Sequence, residues 1–206
     1  MGMGVRNKRN IAMITQTIQT SASDEQLIKA ISGGDRHAMK LLYARHSVRV
    51  FRFALRFVAD EGAAEDLVNE VFLDVWRKAG GFAGHSQVST WLLAIARNKA
   101  IAATRRRTCE PLNDNISEAI QDGADDPETV MGKSQTRSLL SQCLTNLSPA
   151  HREVIDLVYY HEKSIDEVAE IIQVPPNTVK TRMFYARNHL AKLLAEARLD
   201  RNLLAA

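Results

Sequence analysis

The sequence predicts an all-α protein built as two small helical domains joined by an acidic flexible linker, the second a helix-turn-helix domain. Three observations predict this. Apolar residues recur at helical spacing, with no strand-like alternation of useful length. Cap residues and glycine pairs punctuate the helices at regular intervals. One internal stretch loses every base and fills with acids, as a self-repelling linker does.

The elements follow in order. Ser23-Asp24-Glu25-Gln26 has the form of a capping box ahead of "LIKAI", and Gly33-Gly34 stops that helix. Asp35 can cap a second helix whose apolar stripe is Met39, Leu42, Tyr43, His46, Val50, Phe53 and Phe57. Asp60 can cap a third, with Leu67, Val68, Val71, Phe72, Val75 and Trp76 on its stripe and Gly80-Gly81 at its end. The loop "FAGHSQVS" leads into "TWLLAIARNKAIAATRRR", a fourth helix with Trp91, Leu92, Ile95 and Ile101 turned inward. "TCEPLNDNISEAIQDGADDPETV" then holds Glu110, Asp114, Glu118, Asp122, Asp125, Asp126 and Glu128 without one Lys or Arg. Beyond it "SQTRSLLSQCLTNL" reads as a helix, and Ser148-Pro149 starts the next with serine as cap and proline at the first helical position. Ser164 and Glu167 form a second capping box, "QVPP" breaks the chain, and a last helix follows. These marks divide the chain into a disordered tail (1–23), a helical domain (24–108), an acidic linker (109–130), a helix-turn-helix domain (131–198) and a tail (199–206).

Composition excludes several classes. The formal net charge of +3 is too mild to imply a nucleic-acid partner by its sum, so the distribution of charge has to carry that argument. Cys109 and Cys143 are neither a CxxC pair nor part of a metal-spaced cluster, which suits two ordinary thiols in a reduced, cytoplasmic protein. No apolar run approaches the ~20 residues of a spanning helix, so no membrane insertion is expected. The N-terminal stretch is too polar for a secretory signal, and Met1 and Met13 both offer a start. HExxH, Gly-x-Ser-x-Gly and the P-loop pattern are absent, so neither an enzyme nor a cofactor or metal is expected.

Two helices discard their acids. In "SIDEVAEIIQVPPNTVKTRMFYARNHL" a short capped helix precedes a tight turn and a longer helix, the order of a helix-turn-helix whose second helix enters the DNA major groove. With Val179 and Met183 inward, Lys180, Thr181, Phe184, Tyr185, Arg187 and Asn188 project outward and Arg182 lies at the flank. An acid-free face suits phosphate, and the amides near Asn177 and Thr178 can add to it. The alternative is a solvated basic helix in an ordinary bundle. The second such helix holds Arg97, Lys99, Arg105, Arg106 and Arg107, and the polar loop before it could accept an unstacked base.

"GDRHAMKLLYARH", "AEDLVNEVFLDVWRKAGGF", "STWLLAIARNKAIAATRRR", "LSPAHREVIDLVYYHEKSIDEVAEII" and "NTVKTRMFYARNHL" resemble, in order, the conserved regions of bacterial extracytoplasmic-function (group IV) RNA polymerase sigma factors. The resemblance spans about residues 24 to 195. It implies a first domain that binds core RNA polymerase at the large-subunit clamp helices through Asp66, Asn69, Glu70 and Leu73. It implies a −10 element taken as single strand by Phe82, Gly84, His85, Ser86 and Asn98, with backbone support from Arg97, Arg105, Arg106 and Arg107. The second domain would meet the polymerase flap and read the −35 element as duplex through Asn177, Thr178, Lys180, Thr181, Arg182, Phe184 and Tyr185, with Arg187 on phosphate. The linker would thread toward the active centre, and a cognate anti-sigma factor would hold the chain inactive.

The chain departs from the family pattern at two places. Ile101-Ala102 stands where an "ID" step is frequent, and His85 stands where a small polar residue is usual. Both bear on −10 preference and neither on the fold. The competing reading is a helix-turn-helix repressor or activator that acts without core polymerase. It needs one basic helix, where this chain has two, on separate domains.

Overall fold

The structure, a computed structural model, describes residues 22–109, 140 and 142–204. Most of the tail 1–23 and of the acidic segment 109–130 lies outside the described residues. The chain divides into two compact units, with the division inside that segment, between Ser117 and Glu118. The described residues contain helices and turns and no strand.

The first unit holds α1 (Asp24–Ser32), α2 (Arg36–Val58), α3 (Glu61–Lys78) and α4 (Val88–Cys109), with a 3₁₀ turn at Ala79–Gly81. Each start is set locally. Ser23 and Gln26 close a reciprocal capping box on α1. Asp35 accepts from the amides of His37 and Ala38, and Asp60 from that of Ala63, which satisfies part of each helix's first-turn donors. The α1–α2 turn takes Gly34 to φ +87°, a left-handed conformation that costs glycine nothing.

Packing follows from the faces these helices bury. Leu42, Val50 and Phe53 of α2 are sealed from solvent, as are Val71 and Val75 of α3 and Leu92 and Leu93 of α4. Each such side chain contributes about 1.5–3 kcal/mol of apolar transfer. α2 packs on both α3 and α4, and α1 lies against α2. A smaller cluster joins Ala54 and Val58 of α2 to Leu67 of α3 and Ala100 of α4, with Ala103 against it. The last turn of α2 therefore lies beside the second half of α4, at Ala100 and Ala103.

Four apolar assignments need correction. Trp76 and Tyr43 are 37% and 41% exposed rather than core. Tyr43 instead covers Phe72, ring centroids 4.7 Å apart. The inward face of α4 is Leu92, Leu93, Ala96 and Ala100, while Trp91, Ile95 and Ile101 are only half-buried. His46 is buried, but as a polar anchor: its Nε2 lies 2.6 Å from Asp24 Oδ2. Arg45 holds the other oxygen of Asp24 at 2.8 Å and donates to the Ala22 carbonyl. These contacts pin the start of α1 to the middle of α2.

In the second unit a helical turn at residues 142–145 precedes α5 (Pro149–Tyr159), α6 (Ile165–Ile172) and α7 (Pro176–Leu204). Ser148 caps α5, and Ser164 with Glu167 forms the capping box of α6. α7 continues past residue 198, where a tail is expected from sequence, to Leu204. Arg152 stitches the preceding turn in place by donating to the carbonyls of Leu144 and Leu147, 2.9 and 3.1 Å away. Between α5 and α6 the buried His161 lies 3.5 Å from Asp156, and the buried Lys163 pairs with Glu167 at 2.8 Å. These contacts tie the connecting loop to the end of α5 and to the start of α6.

Candidate nucleic-acid interfaces

The second unit's interface is built from the α6–α7 turn outward. α6 ends at Gln173 in a left-handed conformation, and the amide of Val174 returns to the Ala169 carbonyl at 3.1 Å. Pro175 offers its carbonyl to the amides of Thr178 and Val179, so α7 starts at once in a new direction. Val168, Ala169 and Ile172 of α6 meet Val179, Met183 and Ala186 of α7, all buried. Their spacing on α7 fixes one inward stripe.

The opposite face follows by geometry. Asn177, Thr181, Phe184 and Asn188 recur at four- and three-residue steps, which aligns them along one exposed line. Lys180, Tyr185 and Arg187 stand exposed beside it, while Thr178 and Arg182 are half-buried. Phe184 and Tyr185 are 55% and 56% exposed, their rings meeting edge-on at 5.5 Å. Large aromatics left in water on the acid-free stretch of α7 before Glu196 form a contact face rather than a core. The Thr181 hydroxyl donates to its own helix at Asn177, 2.9 Å away, and keeps its lone pairs for a donor outside. Asn188 belongs to this line although the resemblance assigns it no role; its i+7 spacing from Thr181 is the signal.

The first unit's interface lies on α4 and the loop before it. Trp91, Asn98 and Arg105 are spaced by seven residues, so they share one face opposite Leu92, Leu93, Ala96 and Ala100. Phe82 leans on Trp91, with ring centroids 5.1 Å apart. The loop thereby sits at the start of the same ridge. Gly84 (φ +70°) and His85 are exposed, and Ser86 is half-buried. Arg105 and Arg106 are exposed and Arg97 is half-buried; Arg107 lies on the helix with its side chain outside the described residues.

Behind this ridge α4 is fixed to α3 by charge. Lys99 reaches Glu70 at 3.2 Å and Asp74 at 3.4 Å, and Lys78 holds Asp74 at 3.0 Å. The Lys78 hydrogen bond, with Lys99 adding to it, keeps the Asp74 carboxyl below the ordinary value of 3.8. Asp66, Asn69, Glu70 and Leu73 are all exposed on the outer side of α3, and Leu73 at 52% is the most apolar surface there. Glu70 is thus committed in part to Lys99, which the sequence does not reveal. Among the described residues no group of three His, Cys, Asp or Glu side chains could hold a metal ion, and no helix is long and apolar enough to cross a membrane.

Comparison with known proteins gives matching results in both units. Residues 42–109 match the model of Sigma-70 region 2, and residues 137–190 that of Sigma-70, region 4. The RNA polymerase sigma-H factor of Pseudomonas aeruginosa is 29% identical over 85% of this chain and 95% of its own. The ECF RNA polymerase sigma-E factor of Escherichia coli K12 is 29% identical over 80% and 91%. Among solved structures, the sigma factor RpoE of Bartonella quintana, in complex with the anti-sigma factor NepR, is 27% identical over 76% of this chain and 96% of its own, with a TM-score of 0.60. CnrH in complex with the cytosolic domain of CnrY shares the fold at 23% identity and a TM-score of 0.63, covering 85% of this chain and 99% of its own.

Proposed function

The chain belongs to the extracytoplasmic-function sigma factor family, and from that premise we propose that it binds core RNA polymerase and directs it to promoters. In this reading the exposed line of α7 reads the −35 element as duplex. The α4 ridge and its loop hold the −10 element as melted single strand. The outer side of α3, at Asp66, Asn69, Glu70 and Leu73, docks on the polymerase clamp helices. The chain contributes specificity in the cytoplasm and carries out no chemistry of its own.

The observation that carries the reading is the pairing of two acid-free faces on separate units, one led by an aromatic-backed loop and one by a helix-turn-helix. A repressor acting on duplex DNA has a use for the second but none for the first. Melting fits the physics of the first face. Unstacking a base costs a few kcal/mol, which stacking and pocket contacts must offset at about 1–3 kcal/mol per base. An anti-sigma factor as partner is supported by the relative solved with one.

Size-exclusion chromatography of the purified chain with bacterial core polymerase tests this. Co-elution is expected, and Leu73→Glu should weaken it by removing apolar contact from the docking side. Failure of the folded chain to co-elute at micromolar concentration would reject the sigma reading in favour of the polymerase-independent regulator.

A further inference from the structure

Charge in the first unit is segregated by helix. From Arg36 to Val58, α2 carries six bases and no acid. α3 carries Glu61, Glu65, Asp66, Glu70 and Asp74, with bases only in its last turn, at Arg77 and Lys78. A neutral division of charge would scatter both signs over both helices. The arginines of α2 are also ordered. Arg45, Arg49, Arg52 and Arg56 follow at steps of four, three and four, which stacks them along one line over three turns, one guanidinium per ~5.4 Å of axis. That line is a ridge, with Leu42 and Phe53 buried to one side and Phe51 and Leu55 packed into the small cluster on the other. Arg45 and Arg52 are exposed, and Arg49 and Arg56 half-buried.

We infer that this arginine ridge of α2 is a second nucleic-acid surface of the first unit, a track for the phosphate backbone. It is separate from the α4 ridge and has no part in base recognition. Charge complementarity selects the occupant. Every member is arginine, whose planar fork binds phosphate in two-point fashion where lysine offers a point charge. α2 itself carries no carboxylate, while Asp24 of α1 holds Arg45 at the first end of the line. The inference rests on the reading of the chain as a DNA-binding factor and extends its contact area.

The test is the salt dependence of binding of a scrambled 20-nucleotide single strand to the full chain, followed by fluorescence anisotropy. Each lost phosphate contact lowers the slope of log K against log salt by about 0.7 on a single strand. Arg49→Gln with Arg52→Gln should lower it by about 1.4 and weaken binding equally for any sequence. Arg49→Lys with Arg52→Lys should retain most of the slope. Arg36→Gln with Lys40→Gln removes the same charge from the same helix away from the ridge, and should leave the slope unchanged. An equal effect of the on-ridge and off-ridge pairs would overturn the inference, since only net charge would then matter. An unchanged slope would also overturn it, whatever the melting temperature of the variant. Co-elution with core polymerase is read separately, so a ridge without DNA contacts leaves the sigma reading standing.

Discussion

Phe82 rests its ring on Trp91, centroids 5.1 Å apart and planes tilted by 48°. The pair ties the loop after α3 to the first turn of α4, so the loop hangs from a packed anchor. An aromatic pair of this geometry contributes ~0.5–1.5 kcal/mol beyond its buried area. Support of the loop, which the Trp91 contact gives Phe82, has to be separated from the proposed stacking on a base.

Two substitutions separate them. Phe82→Ala should lower the stability of the first unit by about 1–3 kcal/mol in urea unfolding, because the half-buried ring is lost. Phe82→Leu should restore most of that stability while a single-stranded −10 oligonucleotide still binds about 5- to 100-fold more weakly, as loss of one stacked base predicts. Full binding by the leucine variant would assign Phe82 to support alone.

Asp24 makes the first unit sensitive to acid. Burial opposes its ionisation, but the hydrogen bonds from Arg45 and His46 outweigh burial and hold its pKa below 3.8. A depressed folded-state value stabilises the fold above the unfolded value, and the gain disappears as pH falls through the folded one. Asp24→Asn should therefore cost about 1–2 kcal/mol near pH 7, the range for a charged, partly exposed hydrogen-bonded pair. The cost should shrink toward zero below pH 3.8. Thermal unfolding of both forms across pH 3–7 measures it.

Glu70 and Lys99 permit a charge swap. Glu70→Lys alone sets two cations 3–4 Å apart and should weaken both stability and polymerase binding. Adding Lys99→Glu restores that pair but sets a carboxylate beside Asp74, so it should recover only part of the melting temperature. If Glu70 itself contacts the clamp, co-elution with core polymerase stays weak in the double variant. Restored co-elution would mean that Glu70 acts by positioning α4.

On α7, Lys180→Gln should reduce the salt slope of duplex binding by about 0.9 and weaken all sequences alike. Thr181→Val, on the exposed line, should instead change the ranking of −35 sequences in a competition assay, at about 1–3 kcal/mol per altered contact.

How much of this the sequence discloses depends on the range of the interaction. The caps at Ser23, Asp35, Asp60, Ser148 and Ser164 are legible because a cap involves residues within three positions of one another. The α6–α7 turn is legible for the same reason, through its prolines. Trp76 and Tyr43 mislead because large apolar residues at helical spacing read as core whether or not a neighbour covers them. α4 misleads in the opposite sense: its buried stripe relies on Ala96 and Ala100, too small to stand out from a run that is apolar nearly all round. The partnerships of Asp24 with His46 and of Lys99 with Glu70 join residues 22 and 29 positions apart, so no local pattern announces them. The arginine line of α2 is written plainly in the sequence, but its meaning as a ridge appears only once the faces beside it are seen to be buried.

The central claim is that this chain turns core polymerase into a promoter-specific enzyme. The most direct measurement is transcription of fragmented bacterial genomic DNA by core polymerase with and without the chain, followed by mapping of transcript 5′ ends. The account predicts a set of start sites that appear only with the chain and share two upstream sequence blocks, and that vanish when Leu73→Glu replaces the native protein. Identical 5′ ends with and without the chain, at concentrations where it is folded and binds duplex DNA, would contradict it.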